Sequence, residues 1–220
     1  MRKERLIQTV VFDFDYTLAD SSKGVVLCVN HALERLGLAP AKAGRIKRTI
    51  GLPLEETFRR LTGREDPNQE REFVRLYVQR ADEIVAGLTF LLPFVPETLR
   101  TLKQAGLTLG IISNKFRRRI EVIMKRESLL DCFDVIAGSE DVSHYKPDPE
   151  SLLTAIQRLN GTPASALYVG DSVTDAETAQ RAGVPFVAVL SGVTPREDFK
   201  EYRFHGIINS LAYLPDLIKG

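Results

Sequence analysis

The chain has 220 residues, 44% hydrophobic and 27% charged, far from the low-hydrophobicity, high-charge composition of disordered chains. At about 150 residues per domain, this length supports one large core and a smaller insertion. Thirty Lys and Arg against 29 Asp and Glu leave a net charge of +1, which provides no overall field for a polyanion, so nucleic acid is not an expected partner. Cys28 and Cys132 are the only cysteines and lack Cys-x-x-Cys spacing, which excludes a zinc knuckle or a disulfide framework and fits a reducing cytoplasm. The basic opening Met1-Arg-Lys-Glu-Arg5 could pass for the start of a signal peptide, but the apolar run Leu6 to Phe14 is short and broken by Asp13. No other run approaches the roughly eighteen apolar residues of a membrane span. A soluble, unprocessed, cytoplasmic protein with no membrane partner is expected.

In chain order, a strand-length apolar run at Thr9–Phe14 comes first. From about Ser21 to about Leu88 no convincing strand run occurs, and the segment reads as helix after helix, punctuated by Pro40, Gly51-Leu-Pro53 and Gly63. Its clearest helix is Asn68–Ala86, where Phe73, Leu76, Tyr77, Arg80 and Ile84 make one mostly apolar stripe. Strands and amphipathic helices then alternate: helix Val95–Ala105, strand Leu107–Ile112, helix Phe116–Glu127, strand Val135–Ala137, helix Pro149–Asn160, strand Ala166–Val169, helix Val173–Ala182 and strand Pro185–Val189. Gly106, Asn160-Gly161 and Gly183 suit left-handed helix ends. Continuous apolar runs are what parallel strands buried on both faces look like. The expected architecture is α/β: a Rossmann-like parallel sheet with helices on both faces, formed by residues 1–20 and 88–220, with an all-α cap domain at 21–87. Its hinges are expected near Ala19–Lys23 and Gly87–Pro93. An insertion directly after the first strand sits over the carboxyl ends of the sheet, where open α/β folds bind ligands, and is placed like a lid.

Chemistry gathers at the strand ends. The first run closes on Asp13-Phe-Asp15-Tyr-Thr17, and Gly170-Asp171-Ser-Val-Thr-Asp175 follows a later one, where Asp171 or Ser172 also suits a helix N-cap. Carboxylates converging on one sheet edge raise one another's pKa and make an oxygen-rich site suited to Mg²⁺. Between the two clusters lie Ser113-Asn-Lys115 and the proline-fixed loop around Lys146-Pro-Asp-Pro149. The hydroxyl and backbone amide of Ser113 and the ammonium of Lys146 could bind phosphate oxygens beside the metal. In the insertion, Lys42, Arg45, Lys47 and Arg48 read mainly as a solvated face, with Arg48 the one expected to clamp a second anionic group of a substrate. Arg117, Arg118 and Arg119 read as solvated, His31 and His144 as neither ligand nor base, and Cys28, Phe12, Phe90 and Phe94 as packing residues.

These four segments, in this order, resemble the four motifs of the haloacid dehalogenase superfamily of phosphatases, and Asp20-Ser21, Ile50-Gly-Leu-Pro53, Ser113-Asn-Lys115 and Lys146-Pro-Asp-Pro149 look most like its phosphoglycolate phosphatase branch. Tyr16 departs from the pattern, since glycine is usual there. The resemblance implies a Mg²⁺-dependent hydrolase of a small phosphorylated metabolite, phosphoglycolate-like or pyrophosphate. Asp13 would be the nucleophile that forms an aspartyl phosphate, Asp15 the general acid and base, and Ser113 and Lys146 the catalytic phosphate binders. Asp13 and Asp171 would ligate Mg²⁺ by side chain and Asp15 by its backbone carbonyl, while Asp175 would hold a metal-bound water or the Lys146 ammonium. Thr17, which would also fix the turn, and Asn114 fall with Arg48 on the substrate side. A 2-haloacid dehalogenase is disfavoured by Asp15. A phosphomutase like β-phosphoglucomutase would keep the same motifs, and a non-catalytic binding protein could have lost Asp13 or Asp15. Monomer and homodimer are both compatible with the sequence.

Overall fold

Four consecutive buried residues, Thr9-Val-Val-Phe12, form β1. The computed structural model describes residues 7–219, so the basic opening Met1–Arg5 lies outside the described residues. After β1 (Thr9–Phe12) come β2 (Ala19–Asp20), α1 (Ser22–Arg35), α2 (Ala43–Lys47), α3 (Leu54–Thr62), α4 (Pro67–Ile84), β3 (Phe90–Leu91), α5 (Val95–Gln104) and β4 (Thr108–Ile112). The chain continues through α6 (Arg117–Arg126), β5 (Val135–Ala137), α7 (Glu150–Arg158), β6 (Ala166–Gly170), α8 (Val173–Ala182), β7 (Phe186–Val189), β8 (Gly206–Ile208) and α9 (Leu214–Lys219). Among the described residues two compact units result, one of residues 20–90 and one of residues 7–19 and 91–219.

The larger unit is built on a parallel six-stranded sheet in the order β5-β4-β1-β6-β7-β8. The chain steps outward from β1 through β4 to β5, then returns to β6 on the other side of β1. That reversal puts the carboxyl ends of β1, β4 and β6 around a topological switch point. Val11 and Tyr168 point into a core cluster with Leu152, Ala155 and Ile156 of α7 and Ala176 and Ala179 of α8. Val10 and Phe12, on the opposite face by strand alternation, are equally buried, so both faces of the sheet are covered.

The strand runs read from sequence are found, with differences at their ends. β1 stops at Phe12 although Phe14 is fully buried, because the chain leaves the ladder at Asp13, whose N–H makes one last bond to Val169 O (2.9 Å). The short strand β8 and helix α9, three and six residues long, were not among the elements read from sequence. Gly106 and Gly183 take left-handed conformations as expected (φ 83° and 67°), but at the end of α7 that role falls to Asn160 (φ 55°). Gly161 is needed for close approach instead, since a Cβ there would stand 2.8 Å from Thr9 Oγ1.

The smaller unit has its own core, in which Val25, Cys28, Val29, Ala32 and Leu33 of α1 meet Phe58 of α3 and Phe73, Leu76 and Tyr77 of α4. Asp66 caps α4 by accepting from Asn68 N and Gln69 N. The apolar stripe of α4 runs through Ala81 rather than Arg80, which pairs with Glu83 in solvent. Phe12 and Cys28 are core residues, whereas Phe90 and Phe94 are 62% and 53% exposed and do not pack as expected. Phe94 starts α5 in a left-handed conformation that turns its ring outward. Arg119 is buried over the Phe116 ring and is not the solvated residue the sequence suggested, whereas Arg117 stays 39% exposed while pairing with Asp141 and Glu121.

Candidate active site

The carboxyl ends of β1, β4 and β6 deliver Asp13, Ser113 and Asp171, all buried. From the loop beyond β5, Lys146 extends its ammonium to Asp13 Oδ1 (2.7 Å), Asp175 Oδ1 (2.6 Å) and the Tyr168 hydroxyl (3.1 Å). All three N–H donors of that ammonium are thereby used. The Tyr168 hydroxyl in turn donates to Asp175 Oδ1 (2.7 Å). Asp175 Oδ2 accepts from Ser172 N (3.1 Å) and Ser172 Oγ (2.6 Å), while Asp175 N donates back to Ser172 Oγ (3.2 Å). This reciprocal pair is the capping box of α8. Ser172 is thus the N-cap that the sequence allowed, and its partner also anchors the site lysine.

Asp171 accepts a hydrogen bond from Thr17 Oγ1 (3.2 Å). Gly192, in the loop after β7, lies over its other oxygen so closely that a Cβ there would fall 1.8 Å from Asp171 Oδ2. Asp15 pairs with Lys115 Nζ at 3.0 Å. Tyr16 between them in sequence is buried with φ 62°, and its carbonyl accepts from Ser191 Oγ. A left-handed backbone explains why glycine suits this position. With tyrosine it costs about 1–2 kcal/mol.

Burial pushes the Asp13 carboxyl up to about 7, helped by Asp175 and opposed by Lys146. Burial also raises Asp171 well above the usual carboxylate range, with Asp175 and Asp13 adding repulsion and Lys146 and Thr17 working against it. For Lys146, burial favours the neutral amine, but the flanking Asp13 and Asp175 carboxylates outweigh it and raise its proton affinity. Oxygens of Asp13, Asp171 and Asp175 lie within 4.8 Å of one another. When all are deprotonated, four buried carboxylates, including Asp15, face the ammonium groups of Lys146 and Lys115 with a surplus of two negative charges. An oxygen-only donor set with that surplus fits one divalent hard cation.

A family model described as haloacid dehalogenase-like hydrolase matches residues 10–189. The chain belongs to that family. Phosphoglycolate phosphatases of Salmonella paratyphi A and Shigella flexneri are 33% and 32% identical to it over 213 residues, covering 87% of this chain and 84% of theirs. A crystal structure of a haloacid dehalogenase-like hydrolase from Bacteroides fragilis superposes with a TM-score of 0.92 at 47% identity, over 94% of this chain and 99% of that one. The relatives make this hydrolase a phosphatase.

Within this phosphatase, Asp13, Lys146, Asp171 and Asp175 lie together, and Ser113, Asn114 and Thr17 have partners of their own. The backbone amide of Ser113 is used by Ala137 O (3.1 Å), leaving its hydroxyl as the group of interest. Asn114 faces the Lys146 backbone, accepting from its N–H (3.1 Å) and donating to its carbonyl (3.4 Å), and so helps to hold the loop that carries the lysine. Thr17 is fully buried, with its hydroxyl on Asp171. Both Asp175 oxygens carry protein hydrogen bonds, among them one from the Lys146 ammonium, which the sequence reading offered as a partner of Asp175 beside a metal-bound water. Arg48 is exposed at the end of α2 in the helical unit. The sequence reading assigned no role to Lys115, Tyr168 or Gly192. Lys115 did stand inside a motif and Tyr168 inside the predicted strand Ala166–Val169, whereas Gly192 was not singled out.

Proposed function

We propose that the chain is a Mg²⁺-dependent phosphomonoesterase acting on a small phosphorylated metabolite, phosphoglycolate-like or pyrophosphate, through an aspartyl-phosphate intermediate. The observation that carries this reading is the Asp13 carboxylate at the end of β1, held 2.7 Å from the Lys146 ammonium and beside Asp171. Asp13 attacks phosphorus in line, the bond to the leaving oxygen breaks, and Asp15 gives that oxygen its proton. Asp15 then takes a proton from water, which attacks phosphorus and frees Asp13. Lys146 and the Ser113 hydroxyl hold charge developing on the phosphoryl oxygens, where positioning and electrostatics do most of the catalysis. The side chains of Asp13 and Asp171 and the backbone carbonyl of Asp15 would hold Mg²⁺, which when bound neutralises charge on those oxygens. Arg48 would meet a second anionic group of the substrate.

The test is phosphate release from phosphoglycolate, pyrophosphate and sugar phosphates, with and without Mg²⁺, ranked by kcat/KM. Asp13→Asn keeps the shape but removes the nucleophile, and turnover should fall by roughly three orders of magnitude or more. The reading fails if Asp13→Asn, or the wild type in excess chelator, keeps near-normal release. Isomerisation of a sugar phosphate without net release would identify a phosphomutase instead.

A further inference from the structure

Lys115 is nearly buried, with its side chain 6% exposed, and its Nζ lies 3.0 Å from Asp15 Oδ2. Its backbone is held from both sides: its N–H donates to Ser113 Oγ (3.2 Å) and its carbonyl accepts from Ser139 N (3.1 Å). Gly138 closes on the same turn, where a Cβ would come 2.7 Å from Lys115 O and 2.1 Å from Arg117 N. Glu140 then accepts from Arg117 N (2.8 Å) and Arg118 N (3.3 Å), fixing the start of α6 just beyond. Lys146 has committed its three donors to Asp13, Asp175 and Tyr168. The two lysines therefore divide the two carboxylates of the first motif between them.

We propose that Lys115 is a positioning residue that fixes the orientation of the Asp15 carboxylate and keeps it apart from the Lys146 network. The proposal rests on the reading above, in which Asp15 moves the protons. Asp15 stands off the strand, next to the left-handed Tyr16, where the β1 ladder no longer sets its direction. A buried ion pair is a poor device for stability alone, since apolar replacements of a pair are often neutral or better. Orientation of a carboxylate that must meet first a leaving oxygen and then a water is what the pair supplies.

The test compares Lys115→Met, Lys115→Arg, Asp15→Asn and the double variant Asp15→Asn/Lys115→Met on phosphoglycolate and on 4-nitrophenyl phosphate, whose leaving group needs little protonation. Lys115→Met should lower kcat on phosphoglycolate by about tenfold more than on the aryl ester, with KM little changed. Lys115→Arg should recover part of that loss. In the Asp15→Asn background, where there is no carboxylate to orient, Lys115→Met should cost nothing further. This last comparison holds even if Lys115→Met alone, which leaves a buried carboxylate unpaired, folds poorly. Equal losses on both substrates that add to those of Asp15→Asn would make the role purely structural and overturn the proposal. A raised KM at unchanged kcat would make Lys115 a substrate contact and overturn it equally. If Asp15→Asn itself shows no excess loss on phosphoglycolate, the assignment of proton transfer to Asp15 fails first, and the proposal with it.

Discussion

In the proposed mechanism Asp13 has to be deprotonated to attack phosphorus, yet burial holds its carboxyl up at about 7 against an ordinary value of 3.8. An acid whose folded pKa is raised takes up a proton on folding. The stability linked to that proton is full below about pH 4 and is lost as pH rises through about 7. Asp171 is shifted in the same direction. A divalent cation needs both carboxyls deprotonated and binds only the folded state, so it displaces protons and offsets the loss. The rise in Tm produced by Mg²⁺ should therefore grow between about pH 5.5 and about pH 8, read by calorimetry at fixed ionic strength. A Mg²⁺ effect that is flat across this window would contradict the assignment of Asp13 and Asp171 as its ligands.

At the scale of elements, the site depends on backbones that pass very close to carboxylates. The loop after β7 places Gly192 against Asp171, leaving no space for a Cβ. Gly192→Ala should leave the fold intact but move Asp171, weakening apparent Mg²⁺ affinity by about ten- to a hundredfold in a titration of phosphate release. Wild-type affinity would show that the loop yields. The elements themselves were largely legible, since the continuous runs of β1, β4, β6 and β7 can only be buried strands and the turn residues at Gly106 and Gly183 mark helix ends. β8 was not, because three residues at a sheet edge, only Ile208 of them buried, make too short a run to stand out. The charged site residues were legible because acids at the ends of apolar strands are costly unless used. Lys115 and Tyr168 were not, since a loop lysine and a strand tyrosine look ordinary until the fold brings Asp15 and Lys146 to them. Asn114 and Thr17 were noticed, but their protein partners are 32 and 154 residues away, and no local pattern names them.

At the scale of the whole chain, each of the two units has an apolar core of its own. In the helical unit, Phe73 packs against Phe58 and Tyr77, with ring centroids 5.4 and 6.4 Å away. Phe73→Ala should cost that unit about 3–5 kcal/mol. Hydrogen exchange should then accelerate in α1, α3 and α4 while β1, β4 and β6 keep their wild-type protection. Acceleration spread evenly over both units would show that they open as one cooperative body. The short strands β2 and β3 also pair with each other. Neighbouring strands lie roughly 5 Å apart, so everything between Asp20 and Phe90 begins and ends at almost the same point in space. Such an excursion is a cassette: it can be exchanged for another of different length, or excised and bridged by a residue or two, without re-routing the sheet that bears the carboxylates. Changing what is inserted between these two strands therefore need not disturb the strand ends that carry the carboxylates.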